Sequence, residues 1–304
     1  MLFKFKAFLI FSILVVLSAC HISKSVTSDE ITAEGLELRV MSFNIRYGTA
    51  NDGSNNWENR KETVFDVLKK QNCDIVGLQE ALQFQIGDIL SAIPQYAMVG
   101  VGRDDGKTKG EYAAILYRHD RFELDEFGTF WLSDTPEVPG SITWGNACTR
   151  ICTWTRLIDK KSGAAFYTYN LHLDHVSQPS REKSAALLVQ RINSRKHKDP
   201  FIVTGDFNTA EDNPVILYLK GKAALDNPIS MVDTFRVLHP DTKNVGTYHS
   251  FKGGREGDKI DYIFTTPDVK VLEAEILHDN VEGRYPSDHY PVTALLLLPN
   301  TRKN

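Results

Sequence analysis

A chain of 304 residues, 42% hydrophobic and 24% charged, has the composition of a packed globular protein and excludes a disordered or fibrous one. No internal repeat or low-complexity tract divides it, so one large α/β domain is expected. The formal net charge of −4 gives no support to an overall basic face of the kind that grips duplex nucleic acid through its phosphates.

The first residues read as a targeting segment. Lys4 and Lys6 precede an apolar run from Ala7 to Leu17 that is short for a bilayer span, and Ser18-Ala19 supplies small residues at a cleavage site. Leu17-Ser18-Ala19-Cys20 resembles the bacterial lipobox, in which the cysteine becomes the lipidated first residue of the mature protein. Residues 1–19 are therefore expected to be a lipoprotein signal peptide, Cys20 the lipidated residue, 20–35 a flexible tether, and 36–300 the folded domain. An ordinary signal peptide followed by an incidental cysteine is the alternative. Export is expected in both cases; with the lipid, the domain sits on the periplasmic or surface face of the bacterial outer membrane and meets the membrane through that lipid alone. Cys73, Cys148 and Cys152 remain, an odd set whose Cys-x3-Cys spacing matches no common metal site. Buried, unreactive thiols are the expectation, with a Cys148–Cys152 bridge as the unsupported alternative.

Leu36 to Asn44 alternates and ends in a polar residue, which predicts the first strand, with Arg46-Tyr47-Gly48 turning away from it. Asn51 to Asn56 is a polar loop, and Val64, Val67 and Leu68 among charges predict an amphipathic helix over Trp57 to Lys70. Asp74 to Leu78 is the next strand, delivering Gln79-Glu80 at its end, and a second helix runs to about Ala92. Tyr96 to Gly100 reads as a strand, Arg103 to Gly110 as a charged loop, and Glu111 opens a strand over Tyr112 to Arg118. Phe122 to Trp154 is irregular and holds Trp131, Pro136, Pro139, Trp144 and Arg150. Cys152 to Leu157 and Ala164 to Leu171 read as paired strands joined at Lys161-Ser162-Gly163, with His172 closing the second. Ser180, as N-cap, opens a helix to Arg195; loops and short helices fill the chain to Leu238, and Lys259 to Phe264 and Pro291 to Leu298 are the terminal strands.

The organising stretch is Phe201-Ile202-Val203-Thr204-Gly205-Asp206-Phe207-Asn208. Its β-branched and aromatic run predicts a buried strand, which Gly205 is expected to end by letting the backbone turn. Asp206 and Asn208, two apart in extended chain, then point the same way, one to accept a proton and the other to orient what loses it. A plain turn is the competing reading. Other polar residues also stand where strands end: Asn44, Glu80, Glu111, His172, Asp261, Asp288 and His289. Acidic groups gathered in one place need protons or a cation, and carboxylate and amide oxygens suit Mg²⁺ or Mn²⁺; zinc fits less well without a short-spaced His or Cys set.

Ser42-Phe43-Asn44, Leu78-Gln79-Glu80, Asn170-Leu171-His172, Gly205-Asp206-Phe207-Asn208, Ile260-Asp261-Tyr262-Ile263 and Ser287-Asp288-His289-Tyr290-Pro291-Val292 resemble, in order, the motifs of the endonuclease/exonuclease/phosphatase superfamily. That family includes deoxyribonucleases, deadenylases, inositol polyphosphate 5-phosphatases and neutral sphingomyelinases. The resemblance implies an α/β four-layer sandwich, two mixed β-sheets face to face with helices outside, and metal-dependent in-line attack of water on a phosphoester. It implies that Asn44, Glu80 and Asp288 form the metal site, that Asp206 takes the proton of the attacking water, and that Asn208 orients water or phosphate. His289 would bind the phosphate with Asp261 holding its ring, and His172 would pair with Glu111, seven residues before Arg118.

For substrate, Trp131, Trp144 and Arg150 form either a pocket that stacks on a ring and grips an anion or the packing of a long loop, and Asn170 and His175 are further candidates. Asp174, His175 and Arg181 either line the cleft or form a helix entry. A small-molecule or sugar-linked phosphoester is the leading expectation, nucleic acid the second, and a non-catalytic binding protein on the same fold the third. A monomer is expected.

Overall fold

The computed structural model describes residues 1–2, 35–222 and 229–299; the expected signal peptide and Cys20 lie outside the described residues. Among the described residues no helix is long and apolar enough to cross a membrane. The first half of the fold contains β1 (Leu36–Asn44), α1 (Trp57–Gln71), β2 (Ile75–Ala81), α2 (Gln83–Ala92), β3 (Tyr96–Val99), β4 (Tyr112–Arg118), β5 (Phe122–Trp131) and β6 (Ile151–Asp159). There follow β7 (Ala165–His172), α3 (Gln178–Asn193), β8 (Phe201–Asp206), α4 (Pro214–Leu219), β9 (Val232–Asp233), α5 (Thr234–Leu238), β10 (Asp261–Thr265), β11 (Lys270–Ile276) and β12 (Val292–Leu298).

The strands form two six-stranded sheets, ordered β11-β12-β1-β2-β4-β3 and β5-β6-β7-β8-β10-β9. Each has one parallel pair at its centre, β1 with β2 and β7 with β8, flanked by antiparallel neighbours. Three apolar layers follow from the period of two along each strand. Leu38, Val40, Ile75, Phe166, Ile202 and Ile263 fill the space between the sheets. Met41, Phe43, Val76 and Leu78 meet Val64, Phe65 and Leu68 of α1 and Ile86 and Ile89 of α2. Tyr169, Leu171, Val203 and Phe264 meet Ala185 and Leu188 of α3 and Val215 of α4. The result is the expected four-layer α/β sandwich of two mixed sheets with helices outside.

The inter-sheet face of the central strands changes character along its length. β1 runs Val40, Ser42, Asn44 on that face; β2 runs Ile75, Gly77, Gln79; β7 runs Phe166, Thr168, Asn170, His172; β8 runs Ile202, Thr204, Asp206. The layer is thus apolar at one end and polar at the carboxyl ends of the parallel strands. Of the buried polar groups there, Asn170 is the one that ties them together: its Nδ2 donates to the Leu78 and Ala114 carbonyls at 2.8 Å each, and its Oδ1 accepts from Gln79 Nε2 at 2.6 Å and Thr204 Oγ1 at 3.0 Å. Asn170 is fully buried, so it joins the sheets and does not reach a substrate as expected.

Several boundaries differ from the sequence reading. The segment taken as irregular contains β5, an edge strand whose exposed face carries Glu123, Asp125 and Phe127, and β9 and β11 were also not foreseen. The α3 N-cap is Ser177, whose side chain accepts from Ser180 N, rather than Ser180 itself. β2 continues through Gln79 and Glu80 to Ala81, with a register shift between Leu78 and Ala81. Gly205 lies within β8 and does not turn the chain; a Cβ there would sit 2.7 Å from the Leu171 carbonyl oxygen, so close strand approach is what requires glycine. The turn comes at Asn208, in the left-handed region at φ 50°. Cys73 and Cys152 are buried and free; Cys148 is free and partly exposed, so it is not the buried thiol expected.

The inter-sheet contact makes stability measurable at two positions. A Cβ at Gly77 would lie 2.1 Å from Thr204 Oγ1 and 2.7 Å from Asn170 Oδ1, so Gly77→Ala should destabilise by about 1–3 kcal/mol. Asn170→Ala, which orphans two buried carbonyls, should cost about 2–4 kcal/mol. Urea unfolding followed by circular dichroism measures both, and parent-like midpoints would refute the role given to this contact.

Candidate active site

The parallel strands deliver their last side chains to one edge of the sandwich. Asn44 comes from the end of β1, Glu80 from the bulged end of β2, His172 from the end of β7 and Asp206 from the end of β8. Asp261 opens β10 directly opposite Asp206 in register, and Asp288-His289 immediately precede β12. Glu80, His172, Asp206, Asp288 and His289 line a cleft of about 450 Å³, with Asn44 and Asp261 bonded behind them.

Asp206 is the hub. Its Oδ2 accepts from Asn44 Nδ2 at 3.0 Å and lies 3.5 Å from His172 Nε2 and 3.8 Å from His289 Nε2. Its Oδ1 accepts from the Asn208 backbone N–H at 2.9 Å, while Asn208 Nδ2 donates to the Leu173 carbonyl. Asp206 and Asn208 therefore meet at the cleft through a left-handed turn rather than through extended chain. His289 Nδ1 is 2.9 Å from Asp261 Oδ2, the pairing expected. The expected Glu111–His172 pair is not a hydrogen bond: His172 Nδ1 lies 3.9 Å from Glu111 Oε2, because Arg103 takes both Glu111 oxygens at 2.7 and 2.8 Å.

Glu80 and Asp288 stand together beside the hub. Glu80 is held at φ 59°, its Oε1 accepting from Asn44 Nδ2 and its Oε2 from the Tyr47 backbone N–H at 3.1 Å each. The nearest cation is Arg46, 3.9 Å from Glu80 and 3.8 Å from Asp288, and its guanidinium is already held by Asp52 through two 3.0 Å bonds. Two largely buried carboxylates that share one guanidinium, itself bonded to Asp52, are a donor set that fits a hard divalent cation. Asn44 differs from the expected ligand: its Oδ1 accepts from the Arg46 backbone N–H, and its amide nitrogen bridges Glu80 and Asp206. Asp206, Asp261 and His289 also lie close enough to hold an ion, but His289 Nδ1 is already bonded to Asp261 Oδ2.

The environment sets these charges. Burial pushes Asp206 up to about 7, with the Asp261 charge adding to it and His289 pulling the other way. Burial opposes a charged His289, but Asp261, Asp206 and Asp288 outweigh it and hold the imidazolium well above its ordinary range. Burial, then Arg150 and Arg103, push His172 well below its ordinary range, leaving it neutral. Burial also raises Asp288, opposed by His289 and reinforced by Glu80. One histidine is therefore a cation and the other a neutral ring on either side of one carboxyl.

On the His172 side, Arg150 is 3% exposed, its Nη2 3.0 Å from His175 Nδ1, while its Nε and Nη1 have no hydrogen-bond partner. Arg150, His175 and Arg103 line the cleft. Trp131 and Trp144 do not: Trp131 is buried and donates to the Arg103 carbonyl, and Trp144 donates to Asp134 beside α3, lining a separate groove. Loop packing was the correct alternative for both. Asp174 and Arg181 form the helix entry, Asp174 accepting from the Val176, Ser177 and Ala147 amides and Arg181 donating to the Asp174 carbonyl. Sequence reasoning missed Arg46, Tyr47, Arg103, Cys148 and Tyr248 at the cleft. It also missed Arg60, a 4% exposed guanidinium that donates to the Ile45, Arg46, Asn55 and Pro286 carbonyls. Arg46 and Tyr47 follow a motif directly; the others carried no local signal.

Comparison with known proteins agrees with this geometry. The sequence model of the Endonuclease/Exonuclease/phosphatase family matches residues 41–289. A solved endonuclease/exonuclease/phosphatase from Bacteroides vulgatus is 37% identical, with 86% of this chain and 99% of that one aligned at a TM-score of 0.78. The mannosyl-6-phosphatase of Bacteroides thetaiotaomicron VPI-5482 is 33% identical over 86% of this chain and 100% of that one, at a TM-score of 0.76. An uncharacterized protein of Acanthamoeba polyphaga mimivirus is 26% identical, the match spanning 85% of this chain and 99% of the relative.

The Glu80–Asp288 pair yields a measurement independent of turnover. Mn²⁺ or Mg²⁺ should bind the parent protein in a calorimetric titration and raise its unfolding temperature. Glu80→Gln should weaken binding by at least about tenfold. Equal metal affinity in parent and variant would remove Glu80 from the site.

Proposed function

Because the chain belongs to the endonuclease/exonuclease/phosphatase family, we propose that it is a divalent-metal-dependent phosphohydrolase acting on a small-molecule or sugar-linked phosphoester. The observation that carries this reading is the convergence on Asp206 of Asn44, His172 and His289, with the Glu80–Asp288 pair alongside. The cleft's 450 Å³, the net charge of −4 and a relative that is a mannosyl-6-phosphatase favour a small substrate over a polymer.

Glu80 and Asp288 would hold the cation, with Asn44 positioning Glu80. Such an ion supplies positive charge to phosphoryl oxygens and leaving group. Asp206 takes the proton of the attacking water, and Asn208, whose backbone N–H fixes Asp206 Oδ1, offers its side-chain oxygen to that water. His289, held as an imidazolium by Asp261, donates from Nε2 to a phosphoryl oxygen. Arg150, whose Nε is ion-paired with Asp174 at 3.5 Å, offers Nη1 to an anionic or hydroxyl oxygen of the substrate. No covalent intermediate is required when water is the nucleophile. Export and lipid anchoring through Cys20 are part of this proposal.

Phosphate release from hexose 6-phosphates, phosphodiesters and oligonucleotides, each with Mg²⁺, Mn²⁺ or EDTA, tests the reaction. Turnover should require metal and fall by roughly 10²–10⁴-fold in Asp206→Ala and in His289→Ala. Turnover that survives EDTA or both substitutions would sink the reading, and cleavage confined to oligonucleotides would make the protein a nuclease. Cys20→Ser should move the protein expressed from the full chain from the membrane to the soluble fraction; unchanged fractionation would reject the lipid anchor.

A further inference from the structure

Tyr248 stands at the cleft with its side chain 49% exposed and its ring 5.1 Å from that of His289, tilted by 58°. That ring contact is its one side-chain interaction among the described residues. The backbone beneath it is firmly fixed. Tyr248 and His289 form an antiparallel bridge, Tyr290 N donates to the Thr247 carbonyl at 2.7 Å, and Thr247 Oγ1 accepts from the Ile260 and Asp261 amides. His249 N and Ser250 N both donate to the Asp288 carbonyl. Tyr248 is thus held at the cleft by a fixed backbone with about half of its surface open to solvent.

We propose that the Tyr248 ring is a stacking platform for a ring in the alcohol portion of the substrate, so that it selects ring-bearing phosphoesters, sugars foremost, over open-chain ones; the inference rests on the phosphohydrolase reading above. A phosphoryl group at Asp206 and His289 directs its ester oxygen out of the hub, and Tyr248 is the aromatic face beside His289 on that route. Tyr248 and Ile260 give this part of the cleft an apolar character, while the His172 side presents Arg150, His175 and the planar Arg103–Glu111 pair. A sugar ring has the matching duality, an apolar face of C–H bonds and an edge of hydroxyls. An open-chain polyol has the hydroxyls without the face.

The test compares mannose 6-phosphate with mannitol 6-phosphate, which keeps the phosphate and a fully hydroxylated six-carbon chain but has no ring. The quantity read is the ratio of their kcat/KM values with Mg²⁺. The parent should favour the ring. Tyr248→Ala should lower that preference by roughly 3- to 10-fold, mainly through KM for the sugar, and Tyr248→Phe should retain it. An exposed ring without hydrogen bonds is not needed for folding, so an unchanged unfolding midpoint accompanies the loss. Equal efficiency on both compounds in the parent, or equal losses on both in Tyr248→Ala, overturns the platform and leaves the phosphohydrolase standing. Asp206-dependent cleavage of oligonucleotides with no turnover of either compound overturns the sugar-ring assignment alone. Absence of any Asp206-dependent turnover overturns both.

Discussion

The cleft depends on how closely the two sheets approach beneath it, and that approach is set by Asn170. Its amide reaches across the interface to the Leu78 and Ala114 carbonyls, and Gly77 leaves the room that Thr204 and Asn170 occupy. Sheets packed through large apolar side chains stand roughly 10 Å apart. Here the inter-sheet face changes from Val40, Ile75, Phe166 and Ile202 to Asn44, Gln79, Asn170 and Asp206 over a few residues. The apolar end supplies the core, and the polar end lets Asn44 of one sheet bond directly to Asp206 of the other. Site and core are two ends of one layer, so a change at Gly77 or Asn170 acts on both.

Topology explains why so many charged groups meet there. Both sheets repeat one arrangement, a central parallel pair with antiparallel neighbours, and both pairs end at the same edge. Two sheets therefore contribute groups that neither could assemble alone, and β10 and β12 begin where those pairs end, adding Asp261 and His289. Crowding carboxyls in this way raises Asp206 and Asp288 through burial and mutual repulsion. The imidazolium of His289 offsets part of that repulsion.

How much of this could be read from the chain follows the range of the signals. β8 is buried along its whole length and β12 along one face, and their apolar runs announce themselves in any window of sequence. β5 and β11 are edge strands with charged outer faces, Glu123 and Asp125 in one and Glu273 and Glu275 in the other, so their alternation is masked by polarity. Strand-end residues such as Asn44, Glu80, Asp206 and His289 were legible because a polar group closing an apolar run is a local anomaly. Trp131 and Trp144 misled for the same reason: an aromatic in an irregular stretch looks purposeful, yet their indole N–H groups are used to fasten the loop. Arg60 and Tyr248 were invisible because their partners lie far away in sequence. Arg60 reaches Pro286, 226 residues on, and Tyr248 meets the His289 ring 41 residues later. No pattern of spacing encodes such contacts.

Arg60 shows how a strained, like-charged site is held in place. Glu80 sits in the left-handed region at φ 59°, a conformation that costs on the order of 1–3 kcal/mol for a residue other than glycine. Its carboxylate is aimed at the cleft by Asn44 and by the Tyr47 amide, both in the segment whose carbonyls at Ile45 and Arg46 accept from Arg60. The same guanidinium holds the Pro286 carbonyl, two residues before Asp288. Burial pushes Arg60 down to about 10, still far above neutrality, so a permanent cation lies behind the two carboxylates without contacting either. It fastens the backbones that carry them and partly offsets their repulsion, yet leaves their oxygens free. Arg46, held by Asp52, is the cation within ion-pair range of both carboxylates, whereas Arg60 acts on them only through the backbone. The observed arrangement keeps the support one shell back, where it fixes geometry and leaves the charge available for chemistry.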